Sequence, residues 1–289
     1  MQALQPGKLP AQQVRVSQRG DRKNNQDRCE IFNHENLTVM VLADGMGGHP
    51  KGEVAAQILV DTAYHLLNKS SAETFHADRY IEKVFLLAHR NIVKYGINRK
   101  PAIYPRTTAA LVVIHNNLMQ WSHLGDSRIY LFRHGRAHMR TLDHTRVEAM
   151  RLSGKIEDSD SQSQASGRSG VNRCLGGMKK ITHIEVTPAF RLQKDDVLLM
   201  CTDGVWSQLK ESELESAMLN SGLPLRGRVN ELVNLAVTAA HPHSDNATAL
   251  ALCWNPDSHS HDNVGQPENP DKDIDSALDH LRGLIDKYQ

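Results

Sequence analysis

The chain has 289 residues, of which 39% are hydrophobic and 23% charged, and its formal net charge is +1. This composition is typical of a globular protein, and the charge balance is too mild to favour nucleic-acid binding. No apolar run approaches the roughly 20 residues needed to span a bilayer.

The first ten residues, MQALQPGKLP, lack the apolar stretch of a signal peptide. The cysteines are far apart and contain no C-x-x-C pair, so we expect them to be reduced and mostly buried, as in a cytoplasmic protein. They are Cys29, Cys174, Cys201 and Cys253.

Strand-like and helical segments alternate along the chain without a fixed repeat. Short runs rich in Val, Ile and Leu predict strands at 12–18, 28–33, 37–43, 109–115, 118–124, 127–133, 196–201 and 247–254. Apolar residues at helical spacing predict helices at 52–67 and 78–97, and a third helical region over 211–240.

Turn residues divide the strand-rich part of the chain. Asn116-Asn117 and Gly125-Asp126 separate apolar runs within 112–132, a pattern that predicts an antiparallel meander. Clusters of strands between helices indicate a layered α+β fold.

Two segments contain few core-forming residues. Residues 153–170 hold six serines, so we expect a mobile loop, and residues 255–273 have the composition of a polar linker. Residues 274–289 carry an apolar stripe at helical spacing, which predicts an amphipathic helix. Charge is uneven as well, because residues 255–289 contain eight acidic and three basic side chains.

Acidic residues recur beside Gly, Asn or other turn residues where apolar runs begin or end. Each alone is explained as an ordinary turn residue. Together they suggest a shared counter-charge, because buried carboxylates are costly without cations. All-oxygen ligands favour Mg²⁺ or Mn²⁺, and Gly45 allows its carbonyl to approach an ion. The residues are Asp27, Asp44, Asp126, Asp203 and Asp245.

Eight segments carry a resemblance to a known family. In chain order they are RKNNQD (22–27), DGMGGH (44–49), TTAA (107–110), GDSRIYLFR (125–133), DHT (143–145), RSGVNRCLGG (168–177), CTDGVW (201–206) and DNAT (245–248). Over roughly residues 12–254, the chain resembles the metal-dependent type 2C protein serine/threonine phosphatases, particularly their bacterial branch.

The resemblance implies a central β-sandwich of two antiparallel sheets flanked by helices in α-β-β-α layers. It implies a catalytic domain over 1–254 with a flap loop at about 146–176, then the linker 255–273 and the C-terminal helix 274–289. These last two segments lie outside the family core. We expect the helix to pack on its own domain, or alternatively to act in docking or dimerisation.

The resemblance also implies a two-metal site for Mn²⁺ or Mg²⁺, with a third site in bacterial members. Asp44 would bridge two ions, the Gly45 carbonyl would bind one, and Asp203 and Asp245 the other. Asp126 with Asp203 would form the third site, and Asp27 would hold metal-bound water as a catalytic residue. Residues expected to support the site are Gln26, Gly47, Gly48, His49 and Asn246, with Thr107 and Thr108 nearby.

Some positions depart from the family pattern. Gln26 replaces a common Glu, Met46 stands where eukaryotic members place a proposed general acid, and Arg106 replaces the usual glycine. Arg22 matches the phosphate-clamping, catalytic arginine. The spacing from Gly20 is one residue short, so Arg19 remains an alternative clamp.

The implied function is hydrolysis of phosphoserine and phosphothreonine on bacterial proteins, by a hydroxide bridging two ions and in opposition to a Ser/Thr kinase. One alternative is a catalytically weak module that binds phosphoproteins, and another is a hydrolase of small phosphoesters. The first alternative predicts loss of a ligand carboxylate, yet Asp44, Asp126, Asp203 and Asp245 are all present.

Overall fold

The computed structural model describes residues 11–155, 170–177, 181 and 183–255. The expected C-terminal helix, the linker beyond Asn255 and most of the serine-rich segment lie outside the described residues. Within the described part of the chain, no helix is both long and apolar enough to cross a membrane.

Twelve strands are described. They are β1 Ala11–Gln18, β2 Asp27–His34, β3 Leu37–Asp44, β4 Arg106–Thr107, β5 Ala109–His115, β6 Leu118–Leu124, β7 Arg128–Arg133, β8 Arg136–Arg140, β9 Leu175–Gly176, β10 Phe190–Arg191, β11 Val197–Cys201 and β12 Ala247–Trp254. The strands predicted from the sequence agree with these bounds within one residue at each end.

The α-helices of the described residues are α1 Gly52–Leu67, α2 Ala77–Ile97, α3 Arg146–Leu152, α4 Asp203–Trp206, α5 Glu211–Leu219 and α6 Leu225–Ala240. A single 3-10 turn, Ala72–Thr74, precedes α2. The predicted third helical region is therefore two helices, because the chain turns between them through Gly222 and Pro224.

Two antiparallel sheets form the centre of the fold. The first sheet has the order β1-β12-β11-β7-β8, and the second has the order β10-β6-β5-β3-β2. A small third pairing joins β4 to β9. Short hairpins connect β2 to β3, β5 to β6 and β7 to β8, and the Asn116-Asn117 turn has positive φ at both residues.

Burial alternates along the strands and creates three apolar layers. In β3, Val39 and Val41 pack with α1 and α2, whereas Met40 and Leu42 pack between the sheets. Helices α5 and α6 cover the outer face of the first sheet. The predicted α-β-β-α sandwich is confirmed.

Two predictions need correction. The continuous meander is wrong, because β6 lies in the second sheet and β7 in the first, and Gly125 with φ +110° lies in the crossing between them. The cysteines were expected to be mostly buried, but only Cys201 is, whereas the other three are half-buried.

Candidate metal-dependent active site

The hairpin between β2 and β3 places two of the predicted carboxylates side by side. Its register pairs Asp27 with Asp44 directly across the second sheet. Asp27 is buried, and its Oδ2 accepts a hydrogen bond of 3.0 Å from Thr202 Oγ1 beside the first sheet. Its Oδ1 is buried with no hydrogen-bond partner. This oxygen is therefore available to a further hydrogen-bond donor, beside the hydroxyls of Thr248 and Thr202, whose hydrogen bonds oppose the burial that raises the pKa of Asp27.

The backbone of Asp44 is held firmly at the end of β3. Thr108 donates its backbone N–H to the Asp44 carbonyl at 2.9 Å, and its hydroxyl accepts from the Asp44 N–H at 2.9 Å. Thr107 Oγ1 also donates to the Asp44 carbonyl at 2.9 Å. These bonds leave the Asp44 side chain to face the cleft, so the two threonines lie where supporting residues were expected.

The first sheet supplies two further carboxylates. Asp203 begins α4 directly after β11, and Asp245 lies just before β12. The two segments touch closely at Gly204, where an added Cβ would lie 2.0 Å from the carbonyl oxygen of Asn246. Only glycine allows this approach, which brings Asp203 and Asp245 to the same end of the sandwich.

Asp126 lies at the crossing from β6 to β7 and is also buried. Trp206 Nε1 donates to the Asp126 carbonyl at 2.9 Å, and the Arg128 guanidinium lies 3.4 Å above the Trp206 ring. Arg128 in turn forms a bidentate pair with Asp143, with both N–O distances 2.8 Å. This chain of contacts fixes the backbone that carries Asp126.

The five carboxylates influence one another electrostatically. Burial raises the pKa of Asp27 to about 7, and the charge of Asp203 adds to the effect. Burial and Asp203 likewise raise the pKa of Asp126 to about 7. The pKa of Asp44 is raised well above its usual range by burial and by the other four carboxylates. The predicted ligands therefore converge in space.

Asp44 and Asp203 lie close enough to share a hydrogen bond. Burial and the charge of Asp245 raise the pKa of Asp203, and this bond opposes the rise. Two carboxylates in such contact need either a proton or a cation between them. A divalent ion satisfies both at once, and the all-oxygen donor set fits Mg²⁺ or Mn²⁺.

The donors are gathered in the cleft, but at least one of them, Asp245, is engaged in another bond. Among the described residues, no three His, Cys, Asp or Glu side chains stand in a ready-made metal cage. Asp245 Oδ2 accepts from Arg22 at 2.6 Å, in an ion pair that is partly open to solvent. The residues fit a divalent ion through the unpaired Asp27 oxygen and the contact between Asp44 and Asp203.

Asn246 organises the loop that carries Arg22. Its side-chain amide donates to the carbonyls of Arg19 and Asn24, and its Oδ1 accepts from the Gln26 N–H at 2.8 Å. Arg22 lines the cleft between the sheets' ends, whereas Arg19 does not. Gln26 also lines the cleft, and its side chain donates to Glu53 at 3.3 Å.

The glycine-rich loop after β3 forms another wall of the cleft. Gly45 approaches Gly52 so closely that an added Cβ would lie 2.4 Å from the Gly52 carbonyl carbon. Gly47, Met46 and His49 line the cleft, and His49 Nδ1 is buried without a hydrogen-bond partner. Gly48 has φ +79° and is exposed, so its role is to allow the backbone conformation that the turn requires.

The cleft has a volume of about 1070 Å³, which is ample for a phosphorylated side chain. Several of its organising residues were not among the predicted site residues. Thr202 and Trp206 lie within the segment CTDGVW, and this was the sequence signal for both. The missed residues are Arg128, Asp143, Ser127, Thr202 and Trp206.

The two-sheet scaffold and its carboxylate-lined cleft define the class of the protein, an α-β-β-α sandwich whose oxygen donors at one end suit divalent cations. The family model described as protein phosphatase 2C matches residues 16–236. The chain therefore belongs to the protein phosphatase 2C family, whose members are metal-dependent enzymes.

Individual proteins agree with the family assignment. A serine/threonine phosphatase, stp, of Listeria monocytogenes is 26% identical over 240 residues, which cover 80% of this chain and 90% of that protein. The structure of the Mycobacterium tuberculosis phosphatase PstP/Ppp has a TM-score of 0.74 at 25% identity, covering 85% and 99% of the two chains. A catalytic domain of PstP in complex with two manganese ions has a TM-score of 0.67 at 25% identity, covering 84% and 97%.

Proposed function

We propose that this enzyme removes phosphate from phosphoserine and phosphothreonine of bacterial proteins, in a reaction that requires Mn²⁺ or Mg²⁺. The observation that carries the proposal is the convergence of Asp27, Asp44, Asp126, Asp203 and Asp245 at one end of the sandwich. The names of the relatives from Listeria and Mycobacterium support the choice of serine and threonine.

In this proposal Asp44, Asp203 and Asp245, together with the Gly45 carbonyl, would hold two divalent ions, with Asp44 contributing to both. When bound, the ions supply Lewis acidity and an acidified water that can attack phosphorus. Asp27, whose Oδ1 lacks a partner, accepts a hydrogen bond from that water and orients it. Thr107 and Thr108 keep Asp44 in place through its backbone.

Arg22 is assigned to the substrate phosphate. Its guanidinium contacts Asp245 at 2.6 Å, and its side chain is more than half exposed. With Asp245 serving as an ion ligand, the fork of Arg22 would be available to two phosphate oxygens. Asn246 positions the loop for this exchange. We further propose that Asp126 with Asp203 holds a third ion, supported by their shared place in the cleft and by the charge of Asp203, which adds to the burial that raises the pKa of Asp126.

The proposal is tested by hydrolysis of a phosphothreonine peptide in Mn²⁺, in Mg²⁺ and in EDTA. We expect turnover with either ion, loss of most turnover in EDTA, and a comparable loss in Asp203→Asn because one ligand charge is removed. Unchanged turnover in EDTA would refute the metal-dependent mechanism. A protein that binds the peptide but never hydrolyses it, under any of these ions, would support the binding module instead.

We propose that residues 1–254 form the catalytic domain, with 146–176 as its flap, and that 255–273 and 274–289 are linker and accessory helix. The described strands support this division, because β12 ends at Trp254 and completes the first sheet. A chain ending at Asn255 is expected to keep its turnover and its oligomeric mass. A change in mass would assign 274–289 to dimerisation, and a change in turnover alone to docking or inhibition.

The proposed partners are phosphorylated proteins and the Ser/Thr kinase that modifies them. The free cysteines and the phosphoprotein substrates together support a cytoplasmic site of action. Dephosphorylation of a protein that has been phosphorylated by a kinase of the same cell would test this pairing, and kinase products that resist the enzyme would argue against it.

A further inference from the structure

Arg106 is a cation of the cleft that the proposed mechanism leaves without a role. Arg106 forms half of the short strand β4, and its side chain lines the cleft. It has no ion pair or side-chain hydrogen bond with any described residue, and its Nε is buried without a partner. An arginine with a purely structural role would be expected to bond to the protein around it.

The backbone of Arg106 is fixed from two sides. Its carbonyl accepts from the Met46 N–H at 3.0 Å, which ties it to the glycine-rich loop. Its strand pairing is with Gly176. The guanidinium lies over Gly177, where an added Cβ would be 2.8 Å from Arg106 Nε. The glycine thus leaves room for a side chain that makes no bond there.

Arg106 and Arg22 approach the cleft from different sheets. Arg22 contacts Asp245 next to β12 of the first sheet, whereas Arg106 contacts Met46 directly after β3 of the second sheet. A side chain anchored on the opposite sheet from Arg22 can meet a part of the substrate other than the phosphate that Arg22 holds. A guanidinium at such a position is suited to a carboxylate or a second phosphate.

We propose that Arg106 forms an anion subsite that selects phosphopeptides with a further negative group near the phosphorylated residue. The proposal rests on the proposed phosphatase function and adds a substrate preference to it. The shared chemistry is an oxyanion, which an acidic side chain or a second phosphate can supply. Arg106 is a specificity residue in this scheme and takes no part in bond breaking.

The test uses the full chain with Mn²⁺ and three phosphothreonine peptides that differ only in the flanking residues. The flanking residue is glutamate in the first peptide, phosphoserine in the second and glutamine in the third. As a substrate without flanking groups, p-nitrophenyl phosphate is used. We expect wild type to have lower KM values for the two anionic peptides. Arg106→Gln should raise those KM values about tenfold, because one charge-assisted hydrogen bond is lost.

The same variant should leave kcat, the KM for the neutral peptide and hydrolysis of p-nitrophenyl phosphate nearly unchanged. Arg106→Lys should retain much of the preference, because it keeps the charge. Arg136→Gln is the matched control, since Arg136 is exposed on the edge strand β8 outside the cleft. Comparison of the KM values for the two anionic peptides distinguishes a subsite for an acidic side chain from a subsite for a second phosphate.

An anionic-to-neutral KM ratio that is the same in wild type and Arg106→Gln would overturn the subsite. If wild type hydrolyses none of these substrates with Mn²⁺, the proposed function fails instead. Binding of fluorescently labelled, uncleaved peptides to wild type and Arg106→Gln then decides the subsite separately. Equal affinities of the two proteins for the anionic peptides would exclude it.

Discussion

Asp44→Asn is expected to lower kcat for phosphate-ester hydrolysis by about 10³-fold, because the site loses several kcal/mol of metal-dependent stabilisation. Asp44 stands at the centre of the carboxylate cluster, and all four other carboxylates raise its pKa. The asparagine has nearly the same shape, so the loss reflects charge rather than packing. Turnover numbers at saturating Mn²⁺ measure the effect.

The same substitution should make the metal-free protein more stable. It removes one of several like charges held together at the cleft, and a gain of about 1 kcal/mol would raise the melting temperature by about 2–4 °C. Mn²⁺ should then raise the melting temperature of wild type more than that of Asp44→Asn. Asp78→Asn is the control, because Asp78 is exposed in the first turn of α2.

The control is expected to leave turnover unchanged and to lower stability slightly, since an acidic side chain near a helix N-terminus is favourable. The two substitutions are chemically identical and should move stability in opposite directions. Wild-type turnover in Asp44→Asn, or a lower melting temperature for its metal-free form, would contradict the role assigned to Asp44.

Gly204→Ala is expected to lower the free energy of unfolding by about 3 kcal/mol and to remove most activity. The added methyl group would lie 2.0 Å from the Asn246 carbonyl oxygen, so one of the two backbones must move. Because Asp203 and Asp245 immediately precede these two residues, the movement separates the carboxylates. Chemical denaturation and the Mn²⁺ dependence of turnover measure the two effects.

Gly227→Ala provides the matched control within α6. There an added Cβ meets Leu223 and Pro224 at ordinary contact distances of 3.5 Å or more. Alanine is also the better helix former, so this variant should be neutral or slightly stabilised and fully active. If both glycine variants behaved alike, the close approach at Gly204 would have no role in forming the site.

The sequence predicts the strands well because their apolar runs are short and their turns are marked. The pairing of Asp27 with Asp44 follows from such a turn, since a two-residue loop at Glu35-Asn36 sets the register of the hairpin. Strand β8 was missed because its sequence, RAHMR, is polar and lies on a sheet edge. The local pattern of apolar and polar residues does not indicate that a polar segment pairs at the edge of a sheet.

Other differences have identifiable causes. Helix α3, at the start of the proposed flap, was not predicted, although Thr145 caps it by accepting from the Glu148 N–H and the T-x-x-E spacing could have revealed it. The transfer of the chain from one sheet to the other at Gly125 leaves no comparable signal, because a glycine-aspartate pair is typical of hairpins as well. Packing between residues far apart in the chain decides whether such a pair forms a hairpin or a crossing between two sheets.

The carboxylates were identifiable as a group, but their surroundings were not. Their positions at strand ends could be read from residue order alone. The bond from Thr202 to Asp27 and the stacking of Arg128 on Trp206 join residues far apart in the chain. The pair between Arg22 and Asp245 likewise spans 223 positions. Such contacts depend on three-dimensional packing that spacing does not encode.

The hydrogen bond from Thr202 to Asp27 joins the two sheets at the cleft, so the proposed metal ligands come from both sheets of the sandwich. A small displacement of one sheet relative to the other would change the distances between the proposed metal ligands before it disturbed either sheet. Metal affinity is therefore expected to depend on how well the apolar layer between the two sheets is packed. Interior residues such as Met40 and Leu250 are consequently constrained by coordination chemistry as well as by packing.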